Sequence, residues 1–436
     1  MAPPGLGICV VEPEKIFAKC AWRLIPFIML LFVVGFIDRS NVGFAALTMN
    51  RDMGFSDRVY AQGAGIFFLG YLIFQIPTAI LLARVGARRV IFCVMLVWGF
   101  VSAGNAFMQG PYSYYFLRFA LGVAEGGFTP SMIFYLTLWF APAYRGRFIA
   151  IFCSAIPIAG MISGPLSGLL LGMDGIAGLH GWQWLFLIQG LPAALLAFVV
   201  FAVLPDNPSQ AGWLNQAEKS AIADSLSAGT PPPDRAVHQV LLDPRLILFG
   251  LAGFCSAIAL YGINLWLPQI IQAMGFSNRA TGFVAALPYV VSMIAMIAWG
   301  RLSDARNNRV RDTALSMLAA AAAFAVAGFS TNYLVVLGAL SLALAGGLAG
   351  IGPFQSMLSS VASGAAAASG LALVNSIGTL GGYFGPNIVA ALKSSTGGFG
   401  HAMFALAGAQ LLAAMIVLAA GRSLNASPGS RPTPSR

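Results

Sequence analysis

RLIPFIMLLFVVGFIDRSNVGFA, residues 23–45, places an aspartate and an arginine, Asp38 and Arg39, inside a run otherwise long and apolar enough to cross a bilayer as a helix. A second such run, 113–138, carries Arg118 and Glu125. Charge at that depth costs roughly 2.5–3.5 kcal/mol per residue on insertion scales, so the default meaning of these four side chains is a binding or proton-relay site. The rest of the chain decides which.

Working outward, further apolar runs of about 20 residues fall at 60–83, 90–109, 148–171, 182–204, 245–272, 280–301, 313–330, 333–359, 368–392 and 399–421. With the first two they make twelve spans. The runs are continuous rather than alternating, which excludes a β-barrel. Hydrophobic residues form 58% of the chain and charged ones 9%, against roughly 25% charged in soluble domains. The expected fold is therefore an all-α integral membrane protein with twelve transmembrane helices.

Lys and Arg are retained on the cytoplasmic side of short loops. With an inside N-terminus, eighteen of the 24 fall in inside segments, among them Arg84, Arg88, Arg145, Arg147, Arg235, Arg306, Arg431 and Arg436. Both termini are therefore expected in the cytoplasm. The net charge of +10 is accounted for by topology, so a nucleic-acid partner is not expected. The first twenty residues contain Glu12, Glu14 and several prolines, which does not read as a cleavable signal peptide. Helix 1 is expected to serve as its own insertion signal.

The chain divides at 205–244, a polar stretch with Pro231-Pro232-Pro233 and a short helical pattern near 212–226. The expected organisation is a six-helix bundle over 1–204, a cytoplasmic linker at 205–244, and a second six-helix bundle with a short tail over 245–436. Internal repetition supports it. Gly160-x-x-x-Gly164-Pro165 in the fifth span is echoed by Gly381-x-x-x-Gly385-Pro386 in the eleventh, and the loop at 84–89 aligns with 304–309 at nearly the same offset. Duplicated halves with a site between them at mid-membrane are the architecture of many secondary transporters.

Several classes are excluded or unsupported. No G-x-x-x-x-G-K-[ST] nucleotide loop is present, and His180, His238 and His401 are scattered, so neither ATP-driven transport nor a metal site is indicated. The five cysteines, Cys9, Cys20, Cys93, Cys153 and Cys255, are odd in number with no C-x-x-C pair, and read as reduced packing residues. No enzyme chemistry emerges, and no cofactor is expected beyond protons as a coupling ion.

The motifs now on the page resemble the major facilitator superfamily, and within it the anion:cation symporter family. The signals are Asp38-Arg39-Ser40-Asn41 ending the first span, Arg118-Phe119-x-x-Gly122-x-x-Glu125-x-Gly127, Gly181-Trp182-Gln183-Trp184-Leu185-Phe186, Asp206-Asn207-Pro208-x-x-Ala211-x-Trp213-Leu214, and Asn375-Ser376-Ile377-Gly378. The resemblance covers nearly the whole chain. It implies the two-bundle fold, a bacterial cytoplasmic membrane, monomeric function, and proton-coupled import of a small organic anion. Its bacterial members import sugar acids, tartrate, phthalate and hydroxyphenylacetate. Two positions depart from the family pattern: Arg84 stands where the first cytoplasmic signature usually has an acid, whereas the second copy keeps Asp304. Gln355 follows Gly352-Pro353-Phe354 where an aromatic is common, which adds hydrogen-bonding capacity and removes a stacking face. That favours a polar, hydroxylated substrate.

Physical chemistry assigns roles to the same residues. A guanidinium binds a carboxylate through two parallel hydrogen bonds, so Arg39 and Arg118 suit an anionic substrate. Asp38 and Glu125 suit protons, because burial and a neighbouring arginine pull their protonation in opposite directions. Arg118 and Glu125, seven residues apart, lie within about 20° on one helix face and roughly 10 Å apart along it, stacked rather than paired. The plainer reading is an ion pair locking two helices, and Glu125, as the deeper group, is the hardest to explain that way. Neutral candidates are Tyr71, Asn264, Gln269, Tyr289, Gln355 and Asn375, which could equally be interhelical glue. Asp304, Arg84 and Arg88 are the gating candidates. A drug or metabolite export antiporter is the alternative, because a similar Gly-Pro motif in the fifth span marks proton-coupled exporters. A non-transporting receptor on the same scaffold is the third reading.

Overall fold

A computed structural model describes residues 13–141, 151–227, 242–361 and 366–425. Cys9, Arg145, Arg147, Arg235, His238, Arg431, Arg436 and the triple proline at 231–233 lie outside the described residues. The described chain is helical, without a strand. The first half runs α1 (Pro13–Asp52), α2 (Asp57–Val85), α3 (Ala87–Gly104), α4 (Pro111–Glu125), α5 (Phe128–Trp139), α6 (Ala155–Leu170) and α7 (Gly181–Val203). A connecting helix, α8 (Gln216–Ser227), precedes α9 (Pro244–Ala273), α10 (Asn278–Arg306), α11 (Arg309–Phe329), α12 (Tyr333–Ala349), α13 (Ile351–Val361), α14 (Ala366–Thr396) and α15 (Gly400–Asn425). Among the described residues nine helices are long and apolar enough to cross a membrane on length and composition alone. Counting α4 with α5 and α12 with α13 as single spans, each half has six, and the even total puts the start of α1 and the end of α15 on one side, here called the terminal face.

The fourth and tenth spans each lose a helical hydrogen bond at a proline, while the backbone at Gly126, Gly127 and Gly350 stays in the right-handed helical region. Pro130 has no N–H to give Gly126, four residues earlier, and its ring crowds that carbonyl, so the helical hydrogen bonding is interrupted at Gly126 and Gly127. Pro353 stands in the same relation to Ala349, and the tenth span is interrupted in the same way at Gly350. Glu125 is thus the last residue of α4, beside such an interruption. The first span is longer than its apolar run: α1 continues 13 residues beyond Arg39 to Asp52, about 20 Å of helix. Asp38-Arg39-Ser40-Asn41 therefore lies inside the helix instead of ending it.

One turn recurs in both halves. Met53-Gly54-Phe55-Ser56 closes the first span and Met274-Gly275-Phe276-Ser277 closes the seventh. Gly54 and Gly275 adopt φ of 64° and 95°, a region open to glycine. Ser56 and Ser277 then cap α2 and α10, each accepting from a backbone N–H three residues on at 3.3 Å.

The halves meet toward the face opposite the termini. Tyr60 donates its hydroxyl to the Leu265 carbonyl at 2.6 Å and sets its ring edge-on to Trp266. Lys393 reaches Asp57 at 2.9 Å. Gly164 and Gly282 pack so closely that a Cβ on either would lie 2.3–2.4 Å from the other's carbonyl oxygen. Gly160 gives room to Tyr289, and Gly382 to Phe68. Seven residues toward the terminal face from Gly382, on the same side of α14, Asn375 is exposed, as is Gln355 on α13. The cleft between the halves is closed on the opposite face and opens toward the terminal face.

The start of the linker belongs to the first half. Lys19 on α1 grips both oxygens of Glu218 at 2.8 and 2.9 Å and holds that carboxyl below the usual range. Trp213 stacks on Trp139 with ring centroids 5.6 Å apart and receives the Arg23 guanidinium at 5.3 Å.

Candidate functional site

Asp38, Arg118 and Glu125 are all buried, with 0%, 1% and 1% of their surface exposed. Isolated charge at such burial is prohibitive, so the partners of each define what the site does. Glycine brings them together: a Cβ at Gly122 would lie 1.9 Å from the Phe67 carbonyl, and one at Gly126 2.5 Å from that of Tyr71. Spans two and four therefore touch backbone to backbone, as the Gly122-x-x-x-Gly126 spacing implies.

Glu125 is paired across the bundle. Arg39 Nε donates to Glu125 Oε1 at 3.0 Å, and Arg39 Nη2 donates to the same oxygen. The other oxygen, Oε2, is buried without a hydrogen-bond partner. Arg39 lies over the Tyr71 ring at 5.1 Å and the Phe67 ring at 5.6 Å, which places Tyr71 beside the ion pair. Arg118 approaches the same Phe67 ring at 5.0 Å. Its Nε and Nη1 have no partner. Phe67 is thus shared by two guanidiniums, one paired with a carboxylate and one holding unused donors.

Asp38 faces elsewhere. It accepts from Trp98 Nε1 at 2.5 Å, from Asn41 Nδ2 at 2.7 Å and from the Ser102 hydroxyl. A Cβ at Gly35 would meet the Trp98 ring at 2.9 Å, so glycine there admits the indole. Adjacent in sequence, Asp38 and Arg39 serve different neighbours: one ties α1 to α3, the other reaches α4.

The neutral candidates separate. Asn264 donates to the Tyr289 hydroxyl at 2.8 Å, and that tyrosine packs against Gly160 of the opposite half. Gln269 is near the closed face with a buried, unpartnered Nε2. Gln355 and Asn375 are exposed toward the terminal face, and neither side chain bonds to the charged group among the described residues. Two of the gating candidates, Asp304 and Arg88, pair within their own halves. Asp304 accepts from Arg309 Nη2 at 2.7 Å. Arg88 gives its Nη2 to the Phe201 carbonyl and its backbone N–H to Asp206 Oδ1 at 3.3 Å, while Arg84 is exposed.

Sequence reasoning missed Phe67, Trp98 and Ser102. The last two are four residues apart on one face of α3, a polar pair in an apolar helix that could have been read as a docking face for Asp38. It also missed Asp312, which has 1% of its surface exposed and stands 3.8 Å from Arg306. A ninth span begun at residue 313 leaves it out, whereas α11 begins at Arg309 and buries it in the first turns.

Known proteins agree with this architecture. The "Putative tartrate transporter" of Agrobacterium vitis is 42% identical over 412 residues, covering 94% of this chain and 92% of its own. The "Quinolone resistance transporter" of Acinetobacter baumannii is 39% identical over 398 residues, 90% of this chain and 92% of its own. The crystal structure of a bacterial homologue of the human lysosomal transporter Spinster, inward-facing and occupied, superposes with a TM-score of 0.77 at 16% identity, over 98% of this chain and all of that one. The homologues and the fold are those of multi-pass membrane transporters, not enzymes. With the Major Facilitator Superfamily model matching residues 28–386 as well, this chain belongs to that superfamily.

Proposed function

We propose that the protein imports a small organic anion together with protons by alternating access, as a monomer in a bacterial cytoplasmic membrane. The observation that carries this reading is the buried Arg39–Glu125 pair beside an Arg118 with unused donors. Protonating Glu125 removes the charge that holds Arg39, and the freed guanidinium takes a substrate carboxylate. The coupling is reciprocal: an anion that competes for Arg39 raises the proton affinity of Glu125 by the factor by which the proton raises anion affinity. Asp38 is the second proton-carrying carboxylate, and Arg118 supplies further positive charge.

Tyr71, Asn264, Gln355 and Asn375 complete the substrate contacts from both sides of the cleft. The amide of Gln355 supports a hydroxylated carboxylate, in keeping with the name of the Agrobacterium vitis relative. The terminal face is the cytoplasmic one, because Lys and Arg concentrate there, and the open cleft then corresponds to an inward-facing state. Residues 1–204 and 245–436 move as two bundles joined by 205–244. When the cytoplasmic face closes, Asp304 and Arg88 exchange their present partners for contacts across it, and the exposed Arg84 joins them. An export antiporter is the second reading, favoured by the Acinetobacter baumannii relative.

The test is internal pH in dye-loaded liposomes bearing the purified protein, with voltage clamped, while tartrate, galactonate, phthalate, hydroxyphenylacetate and glutamate are added in turn. Acidification by at least one anion is expected. Silence across the panel, with efflux of a fluoroquinolone down an imposed proton gradient, would replace import by export.

A further inference from the structure

A second feature of the first half lies apart from the buried charges, although its arginines include the gating candidates Arg84 and Arg88. Where α3 and α7 meet near the terminal face, Phe92, Phe198, Phe201 and Ala202 line a wholly apolar groove of about 400 Å³. Phe92 stands edge-on to both other rings, with centroids 5.5 and 5.3 Å away. Phe198 and Phe201 leave 59% and 42% of their surface exposed. Such rings on the outside of a membrane helix face lipid chains.

The end of the groove is basic. Arg88, in the first turn of α3, covers the Phe201 ring at 4.3 Å, and its Nε is buried without a partner. Arg89 follows it and Arg84 precedes it across the Gly86 turn, both exposed. The α3 N-terminus adds the positive end of an 18-residue helix. Asp206 adjoins this cluster, and its Oδ1 accepts from the Arg88 backbone N–H. Arg88 at the groove, with exposed Arg84 and Arg89 in the adjoining turns, outweighs the one carboxylate described against it, Asp206. An apolar slot ending at such a cluster, at the depth where a membrane helix meets its interface, matches a phospholipid that carries net negative charge.

We propose that this groove binds an anionic phospholipid, one acyl chain against Phe92, Phe198 and Phe201 and the phosphate at Arg88, with Arg84 and Arg89 beside it. Plain annular contact predicts no headgroup preference. The site predicts one.

Native mass spectrometry of the full chain, equilibrated in detergent with equal amounts of phosphatidylglycerol and phosphatidylcholine of the same acyl chains, tests this. The wild type should retain phosphatidylglycerol preferentially, and Arg88→Gln should lower that retention roughly fivefold, with a similar further step for Arg84→Gln. Ala202→Phe, which fills the groove and keeps every arginine, should lose the lipid as well, so the result does not depend on one variant folding. Equal retention of the two lipids by the wild type would overturn the proposal. So would phosphatidylglycerol retention unchanged in both Arg88→Gln and Ala202→Phe, or its displacement by millimolar inorganic phosphate alone, which would leave an anion site without a lipid groove.

Discussion

In the first half of the molecule a guanidinium and a carboxylate meet inside the bundle, Arg39 with Glu125; in the second half an amide meets a phenol, Asn264 with Tyr289. The scaffolds match down to the turn that closes the first span of each, so the difference lies in side chains and not in backbone. The buried carboxylate of the second half, Asp312, stands at the start of α11 beside Arg306, where it is positioned for the rim and not for the centre. Duplicated scaffolds thus permit division of labour: one half holds buried charge, and the other holds neutral hydrogen-bonding groups.

That division can be broken most severely at Glu125. Glu125→Gln keeps a hydrogen-bonding side chain but cannot release a proton, so anion accumulation driven by a pH gradient should vanish while counterflow exchange persists, measured with labelled substrate in liposomes. Loss of exchange too would make Glu125 structural. Arg39→Lys keeps the charge and removes the fork; hydrogen bonds to charged groups are worth about 1.5–3 kcal/mol, so substrate affinity should fall roughly 10- to 150-fold with the protein still folded. Gly164→Val acts on the contact between the halves. Overpacking of that kind costs about 1–3 kcal/mol, and here it opposes closure of the face opposite the termini, which cysteine labelling from that side should report as increased accessibility.

Changes confined to neutral groups should be smaller and differ in kind. Asn264→Leu removes one neutral hydrogen bond, worth about 1 kcal/mol, and should raise KM about fivefold without displacing the pH profile of transport. A displaced profile would assign the second half a part in proton coupling. Smallest is Asp57→Asn, which breaks the partly exposed pair with Lys393. Such pairs contribute about 0–1 kcal/mol, and the population open toward that face, read by spin-label distances, should rise less than about fivefold.

The twelve spans were legible because continuous apolar runs of spanning length have few other uses, and the four charges because their burial is so costly. Their pairing was not. Seven-residue spacing shows that Arg118 and Glu125 share a face of α4, yet whether Arg39 or Arg118 reaches Glu125 depends on how α1 is rotated and how far it slides past α4, which no single helix encodes. The same holds for Asp38, whose partners Trp98 and Ser102 come from α3. The interruptions at Gly126 and Gly350 were available from the prolines four residues after Gly126 and Ala349. Continuous apolarity concealed them.

The most direct measurement is internal acidification on adding tartrate, or whichever anion of the panel acidifies, to voltage-clamped liposomes holding either the wild type or Glu125→Gln. Acidification by the wild type and none by the variant, with anion exchange retained in both, is the expected result. Equal acidification by the two proteins would show that the proton travels by another route and that the Arg39–Glu125 pair does not couple it to the anion.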